Sequence, residues 1–286
     1  MAKVLRWAGY GLGTIVLLVL IAAAAIWLMA SAKLHASLQA RPEHLVQPTA
    51  AQLTDAERQA RTLGCFSCHG EGLRGDKFLD DPALGTIWAP NLTRVAARAT
   101  DQQLAAAIRQ GVSDEGEPLI IMPSEVFQHL GDQEVTALVA YIRTLPRGGN
   151  ETPPNVYGPL GRLGVVMGKF KTAPELVAKY AANEPRPAGA QFEAGRQLAM
   201  TKCSGCHGPS LEGQEVEPGV TSPDLTIAGA YDLPTFTKLL RTGVPASGRK
   251  LKMMSDIARS DLSHLNDSEI GQLHSYLAAR AQADSR

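Results

Sequence analysis

The 286-residue chain carries 28 basic and 28 acidic side chains, so its formal net charge is zero, and 44% of its residues are hydrophobic. That balance excludes an overall basic or acidic surface of the kind that recruits nucleic acid or a polyanionic substrate. The length suits about two domains of ordinary size.

At the amino-terminal end, the 26 residues from Trp7 to Ala32 carry no charge and are rich in Leu, Ile, Val and Ala. As a helix they extend about 39 Å, enough to cross a hydrocarbon layer of about 30 Å. Lys3 and Arg6 precede them, which puts the amino terminus in the cytoplasm and everything after Lys33 outside. Trp7, Tyr10 and Trp27 fall near the ends, as interfacial anchors do. Ala30-Ser31-Ala32 has the small residues of a signal cleavage site. The apolar stretch is nevertheless longer than the roughly 7–15 residues of a signal core, which favours a retained anchor. Residues 1–33 are therefore expected to be a transmembrane anchor or uncleaved signal, and 34–49 a linker.

Thr54-x-x-Glu57 reads as a capping box that opens a helix running into Cys65-Phe66-Ser67-Cys68-His69. A second pentapeptide, Cys203-Ser204-Gly205-Cys206-His207, uses the remaining two cysteines. This spacing lets two thiols on one helical turn form thioethers to haem vinyl groups, while the next residue offers an imidazole to the iron. Two covalently bound haem c groups are expected, held by Cys65, Cys68, Cys203 and Cys206, with His69 and His207 as iron ligands. A four-thiolate zinc site is the competing reading, but the motifs lie 138 residues apart and each has its own His.

The sequence around the motifs repeats. Leu73 and Gly75 answer to Leu211 and Gly213, Pro90-Asn91-Leu92-Thr93 to Pro223-Asp224-Leu225-Thr226, and Ile108-Arg109 to Leu240-Arg241. Asp132, Glu134 and Tyr141 correspond to Asp267, Glu269 and Tyr276. Order is kept while offsets drift by a few residues, the mark of a tandem duplication. Val135, Leu138, Val139, Ile142 and Leu145 recur at helical spacing, as do Ile270, Leu273 and Leu277, and Asn266-x-x-Glu269 can cap the last helix. Extended alternating runs are absent, so strands should be few. The expected units are 50–147 and 190–286, separated by a Pro- and Gly-bounded linker, 148–189, whose apolar middle can form a helix.

The sixth iron position is assigned from the repeat. Met122 lies 13 residues after Arg109 and Met254 lies 13 after Arg241, so these two are the expected distal ligands, with Met253 as substitute. Pro123 favours a non-helical loop at Met122. His129 and His264 also register with each other and offer a bis-His alternative. A thioether raises the reduction potential relative to bis-His ligation. Arg94, Arg109 and Arg241 are candidates for haem propionates, and Tyr141 and Tyr276 for packing on the first helix of each unit.

With these motifs together, residues 50–283 resemble tandem class I cytochrome c domains, and among these the membrane-anchored dihaem cytochromes c of bacteria. The resemblance implies an all-α fold of two tandem cytochrome c domains after a transmembrane helix. It implies single-electron transfer with redox protein partners: a dehydrogenase, a quinol-oxidising complex or a terminal oxidase. The expected place is the inner membrane with the haem domains in the periplasm, with no nucleic acid and no small-molecule substrate. No nucleophile–base constellation is present, so an electron carrier rather than an enzyme is expected. The rival is a dihaem peroxidase, which would keep one iron open.

Overall fold

In the computed structural model, which describes residues 2–217 and 219–284, the chain is mostly helical. Helix α1 (Ala2–Leu34) is exposed and apolar along nearly all its length, and its last turn folds into the protein. There Ala30 and Leu34 are buried against Val165, beside Ile120 and Tyr157. Residues 35–49 then run along the first unit as a strap. Leu38 N donates to the Gly116 carbonyl at 2.7 Å, and the Glu43 carboxylate pairs with Arg109.

Helix α2 (Ala50–Thr62) begins four residues before the expected cap. Thr49, in extended conformation, forms a capping box with Gln52, while Thr54 lies inside the helix and its hydroxyl donates to the Ala50 carbonyl. The Thr54/Glu57 expectation is thus corrected. Ala50, Ala51 and Gln52 are good helix formers, so the helix extends to the earlier Thr. Gly64 then turns left-handed and separates α2 from α3 (Cys65–His69).

The first unit continues through a short antiparallel hairpin, β1 (Asp76–Asp81) and β2 (Gly85–Ala89), then α4 (Leu92–Arg98), α5 (Asp101–Gln110), α6 (Ser124–Phe127) and α7 (Asp132–Thr144). Strand β3 (Val156–Tyr157) adds to β2. Helices α8 (Pro159–Val166) and α9 (Ala173–Ala181) follow. The second unit contains α10 (Glu193–Lys202), α11 (Ser204–His207), the hairpin β4 (Glu215–Glu217) and β5 (Val220–Thr221), α12 (Leu233–Thr242), α13 (Met253–Ser260) and α14 (Asp267–Asp284).

Each unit is built on one helix crossing. In the first, α2 packs on α7, with Leu73, Leu104, Val135 and Val139 in the core. In the second, α10 packs on α14 around Leu211, Ile270, Leu273, Tyr276 and Leu277. Small residues permit the close approach: Ala56 and Ala60 on α2, Gly195 and Ala199 on α10. Asn266 and Glu269 form the expected reciprocal cap at the start of α14. The duplication extends to backbone strain, since Leu73 (φ 53°) and Leu211 (φ 64°) both adopt the left-handed conformation and both are fully buried. For a γ-branched residue this conformation costs roughly 1–2 kcal/mol, which burial of the side chain, worth roughly 1.5–3 kcal/mol, offsets.

The units meet through an approximately reciprocal interface. Helix α2 rests on the turn at 262–264 of the second unit, and α10 rests on α6 of the first. Arg58 anchors it. Its guanidinium bonds Glu269 at 2.7 and 2.9 Å, Asp55 at 2.5 and 2.6 Å, and the His264 carbonyl at 2.9 Å. Arg58→Ala is expected to lower stability by roughly 2 kcal/mol, because Glu269, mostly buried, loses charge-assisted bonds. A urea titration followed by haem absorbance checks this, with a lower midpoint in the variant and partial recovery in Arg58→Lys.

Candidate haem sites

Both Cys-x-x-Cys-His segments fold as a single helical turn at the end of the first helix of their unit. Burial pushes the Cys65 and Cys203 thiols up to about 12, so both are neutral. A redox-active dithiol instead requires a thiolate of lowered pKa. Among the described residues no three His, Cys, Asp or Glu side chains converge as a metal-ion cage would require.

The two histidines are set identically. His69 Nδ1 lies 2.8 Å from the Pro90 carbonyl and His207 Nδ1 lies 2.9 Å from the Pro223 carbonyl. A carbonyl oxygen can only accept, so Nδ1 carries the proton and Nε2 presents its lone pair. Burial holds both imidazoles below the usual histidine range, which keeps them neutral. This explains the Pro-Asn/Asp-Leu-Thr repeat. The proline carbonyl orients the imidazole, and the next side chain, Asn91 or Asp224, accepts from the backbone N–H of Thr93 or Thr226 to cap the following turn. The proline carbonyls were not singled out from the sequence, although the repeat at this position was visible there.

Of the two expected distal ligands, Met122 lies in a non-helical loop and packs against the core on which Cys65 and Phe66 also pack. Met254 sits in the first turn of α13 and packs against the core that includes Cys203. Backbone geometry offers a second register, because the left-handed residues Ile121 and Lys252 immediately precede Met122 and Met253. Met167 is exposed, and Met200 is buried beside Arg196.

Four of the other five histidines have partners for their rings. His35 bonds Glu117, His44 bonds Asp132, His274 Nε2 bonds the Tyr231 carbonyl, and His129 faces Glu184. Arg109 and Arg241 play one role twice. Each guanidinium bonds a carbonyl just before the last helix, Leu130 or Ser263, and the first carboxylate of that helix, Asp132 or Asp267. Arg94 bonds the Gly149 carbonyl. Trp88 lies on β2 beneath the Lys77 ammonium. Tyr276 packs at the α10–α14 crossing and donates to the Arg186 carbonyl, and Tyr141 joins the first-unit core near Cys65.

The cytochrome c family profile matches residues 50–146 and 192–280. The chain belongs to the cytochrome c family. It is also similar, at 25% identity over 84% of this chain, to the fructose dehydrogenase cytochrome subunit of Gluconobacter japonicus. The chain spans 56% of that relative's length. As a cytochrome c, this protein binds haem c covalently and acts as an electron carrier. The peroxidase alternative finds no support in these matches.

One buried group in this cytochrome stands out. Glu125 on α6 is 9% exposed, and its Oε2 finds no hydrogen-bond partner among the described residues. Burial pushes its carboxyl up to about 7 from 4.5. The folded state therefore holds a proton that the unfolded state has released between those values, so stability falls as pH rises through this window. Glu125→Gln is expected to raise the melting temperature at pH 8 and leave it nearly unchanged at pH 4, which thermal scans at the two pH values would read.

Proposed function

We propose that this cytochrome c is a dihaem electron carrier, held in the inner membrane by α1 with its haem units in the periplasm, and that it serves a dehydrogenase as cytochrome subunit or electron acceptor. The observation that carries this reading is the duplicated site: two Cys-x-x-Cys-His turns, each with its imidazole fixed by a proline carbonyl. The domain bounds are those of the repeat, 50–147 and 190–286, with 1–33 as anchor and 148–189 as the connection. The dehydrogenase partner is inferred from the similarity to a fructose dehydrogenase cytochrome subunit. A quinol-oxidising complex as donor and a terminal oxidase as acceptor are the other redox partners of this reading.

In this reading Cys65 and Cys68 would hold one haem and Cys203 and Cys206 the other, with His69 and Met122 as ligands for the first iron and His207 and Met254 for the second. Met254 is preferred to Met253 because it packs on the same core as Cys203, just as Met122 packs on the same core as Cys65. Haem c supplies reversible one-electron iron chemistry when bound. The chain's own residues set its surroundings: the Pro90 and Pro223 carbonyls fix the imidazole tautomer, and the two cores exclude water. Transfer between the units is favoured by the interface. Ser67 of the first motif donates to Asp261 of the second unit at 2.5 Å, and Lys202, next to Cys203, donates to Thr62 at 2.9 Å. Both motif helices thus flank one junction.

Retention of α1 is supported by its last turn. Ala30-Ser31-Ala32 is helical, Ala30 is fully buried, and Ser31 accepts from Arg162 at 2.9 Å, whereas a cleavage site must be extended and accessible. The alkaline pyridine spectrum of the purified full chain tests the haem stoichiometry. Two haem c per chain are expected, falling to one in Cys65→Ala/Cys68→Ala; one haem in the unaltered chain contradicts the reading.

A further inference from the structure

The segment from α8 to the start of α9 is too apolar for a surface loop. Leu160 is 54% exposed, Met167 62% and Phe170 43%, all within eleven residues. Lys169 and Lys171, interleaved with them, are also exposed and form no ion pair among the described residues. Of the other exposed large apolar side chains of the haem units, Leu53, Phe78 and Ile121 stand singly, and Ile227 and Leu233, six residues apart, have no lysine between them. Scattered exposure needs no explanation, but a cluster of apolar residues and free lysines does.

Its position says what covers it. Helix α8 packs against the end of α1, where the apolar span meets the folded protein. The Arg162 guanidinium lies 5.4 Å from the ring centroid of Trp27, and Val165 is buried with Ala30 and Leu34. Tryptophan at the end of a span marks the headgroup level, so α8 sits at the water–lipid boundary. Residues that place apolar side chains beside unpaired lysines at this level match an interfacial helix, with apolar groups at the acyl boundary and ammonium groups among phosphates.

We propose that α8 and the turn after it form a seat on the outer surface of the bilayer, taking anionic phospholipid headgroups at Lys169 and Lys171 and burying Leu160, Met167 and Phe170 at the lipid boundary. The seat rests on the reading of α1 as a retained anchor. A single span leaves the attached domain free to rotate and tilt; a second contact beside it restrains both. The haem units are then held in one orientation to the membrane, and so to membrane-bound redox partners.

The four cysteines all belong to the haem motifs, so an introduced cysteine in the haem-loaded full chain is a unique thiol. Nitroxide labels at Met167→Cys, Phe170→Cys, Leu18→Cys within α1, and Leu233→Cys on the second unit are compared in phosphatidylglycerol nanodiscs. Collision with oxygen is expected to exceed collision with a water-soluble nickel chelate severalfold at 18, 167 and 170, with the reverse at 233. Adding Lys169→Glu and Lys171→Glu should shift the label at 170 towards the nickel value. Phe170 packs on Gly164, and Met167 supplies a label free of that packing. Nickel excess at 167 and 170 with oxygen excess at 18 overturns the seat while the anchor stands. Loss of residue 18 from the mature chain, or nickel excess there, overturns the anchor itself. Protection from both reagents at 167 and 170 overturns the seat in favour of a protein cover.

Discussion

Met254→Ala is expected to open the second iron: the far-red thioether absorption band of the oxidised protein falls by half, and carbon monoxide binds the reduced form at one haem per chain. The physical basis is that the neutral imidazole of His207 remains while the thioether packed on the same core as Cys203 is lost. Loss of the thioether also lowers the potential of that haem. Met253→Ala should leave both the band and carbon monoxide binding unchanged. The two side chains are adjacent in the first turn of α13, about 100° apart around its axis, so they point in different directions and do not substitute for one another without rotation of the helix. Loss of the band in Met253→Ala alone would instead favour the register set by left-handed Lys252.

Gly195→Val is expected to dismantle the second unit while sparing the first. A Cβ at Gly195 would overlap the carbonyl oxygen of Gln272 and lie 2.7 Å from Tyr276 Cβ, so α10 and α14 must separate. Backbone cannot be moved aside as a flexible side chain can. The cost is expected to be about 3 kcal/mol or more, at the upper end for overpacking. Because α10 leads directly into α11, the displaced crossing also misplaces Cys203, Cys206 and His207. Haem content should approach one per chain, with the first-haem spectrum retained. Gly271→Ala inside α14 is the matched control, since nothing lies within 4 Å of its added Cβ, and it should raise stability by about 0.5–1 kcal/mol through helix propensity.

The parts legible in the sequence are those that chemistry ties to a fixed spacing. Thioether attachment demands Cys-x-x-Cys-His, and duplication repeats it with Pro90-Asn91 and Pro223-Asp224, so both motifs and the order of elements could be read directly. The last helices were legible for a similar local reason: their apolar period and the Asn266/Glu269 cap lie within a few residues of one another. Other features are decided elsewhere in the chain. The helix cap at Thr49 won over Thr54 because both have an acceptor three residues on and local pattern does not separate them. The apolar middle of the connection became two helices, since Gly168 turns left-handed and Thr172 with Glu175 caps a new start. The interface was invisible, as Arg58 and Glu269 are 211 residues apart and neither is distinctive alone. The strap pairing Glu43 with Arg109, for which a haem propionate is a candidate partner in the sequence, is hidden for the same reason.

The most direct test of a two-haem electron carrier is the far-red thioether band of the oxidised full chain, scaled to its haem content and paired with carbon monoxide addition to the reduced protein. Two thioether bands' worth of absorption per chain and no carbon monoxide uptake are the predicted result. A single band with uptake at one haem would leave an open iron and contradict two closed histidine–methionine sites.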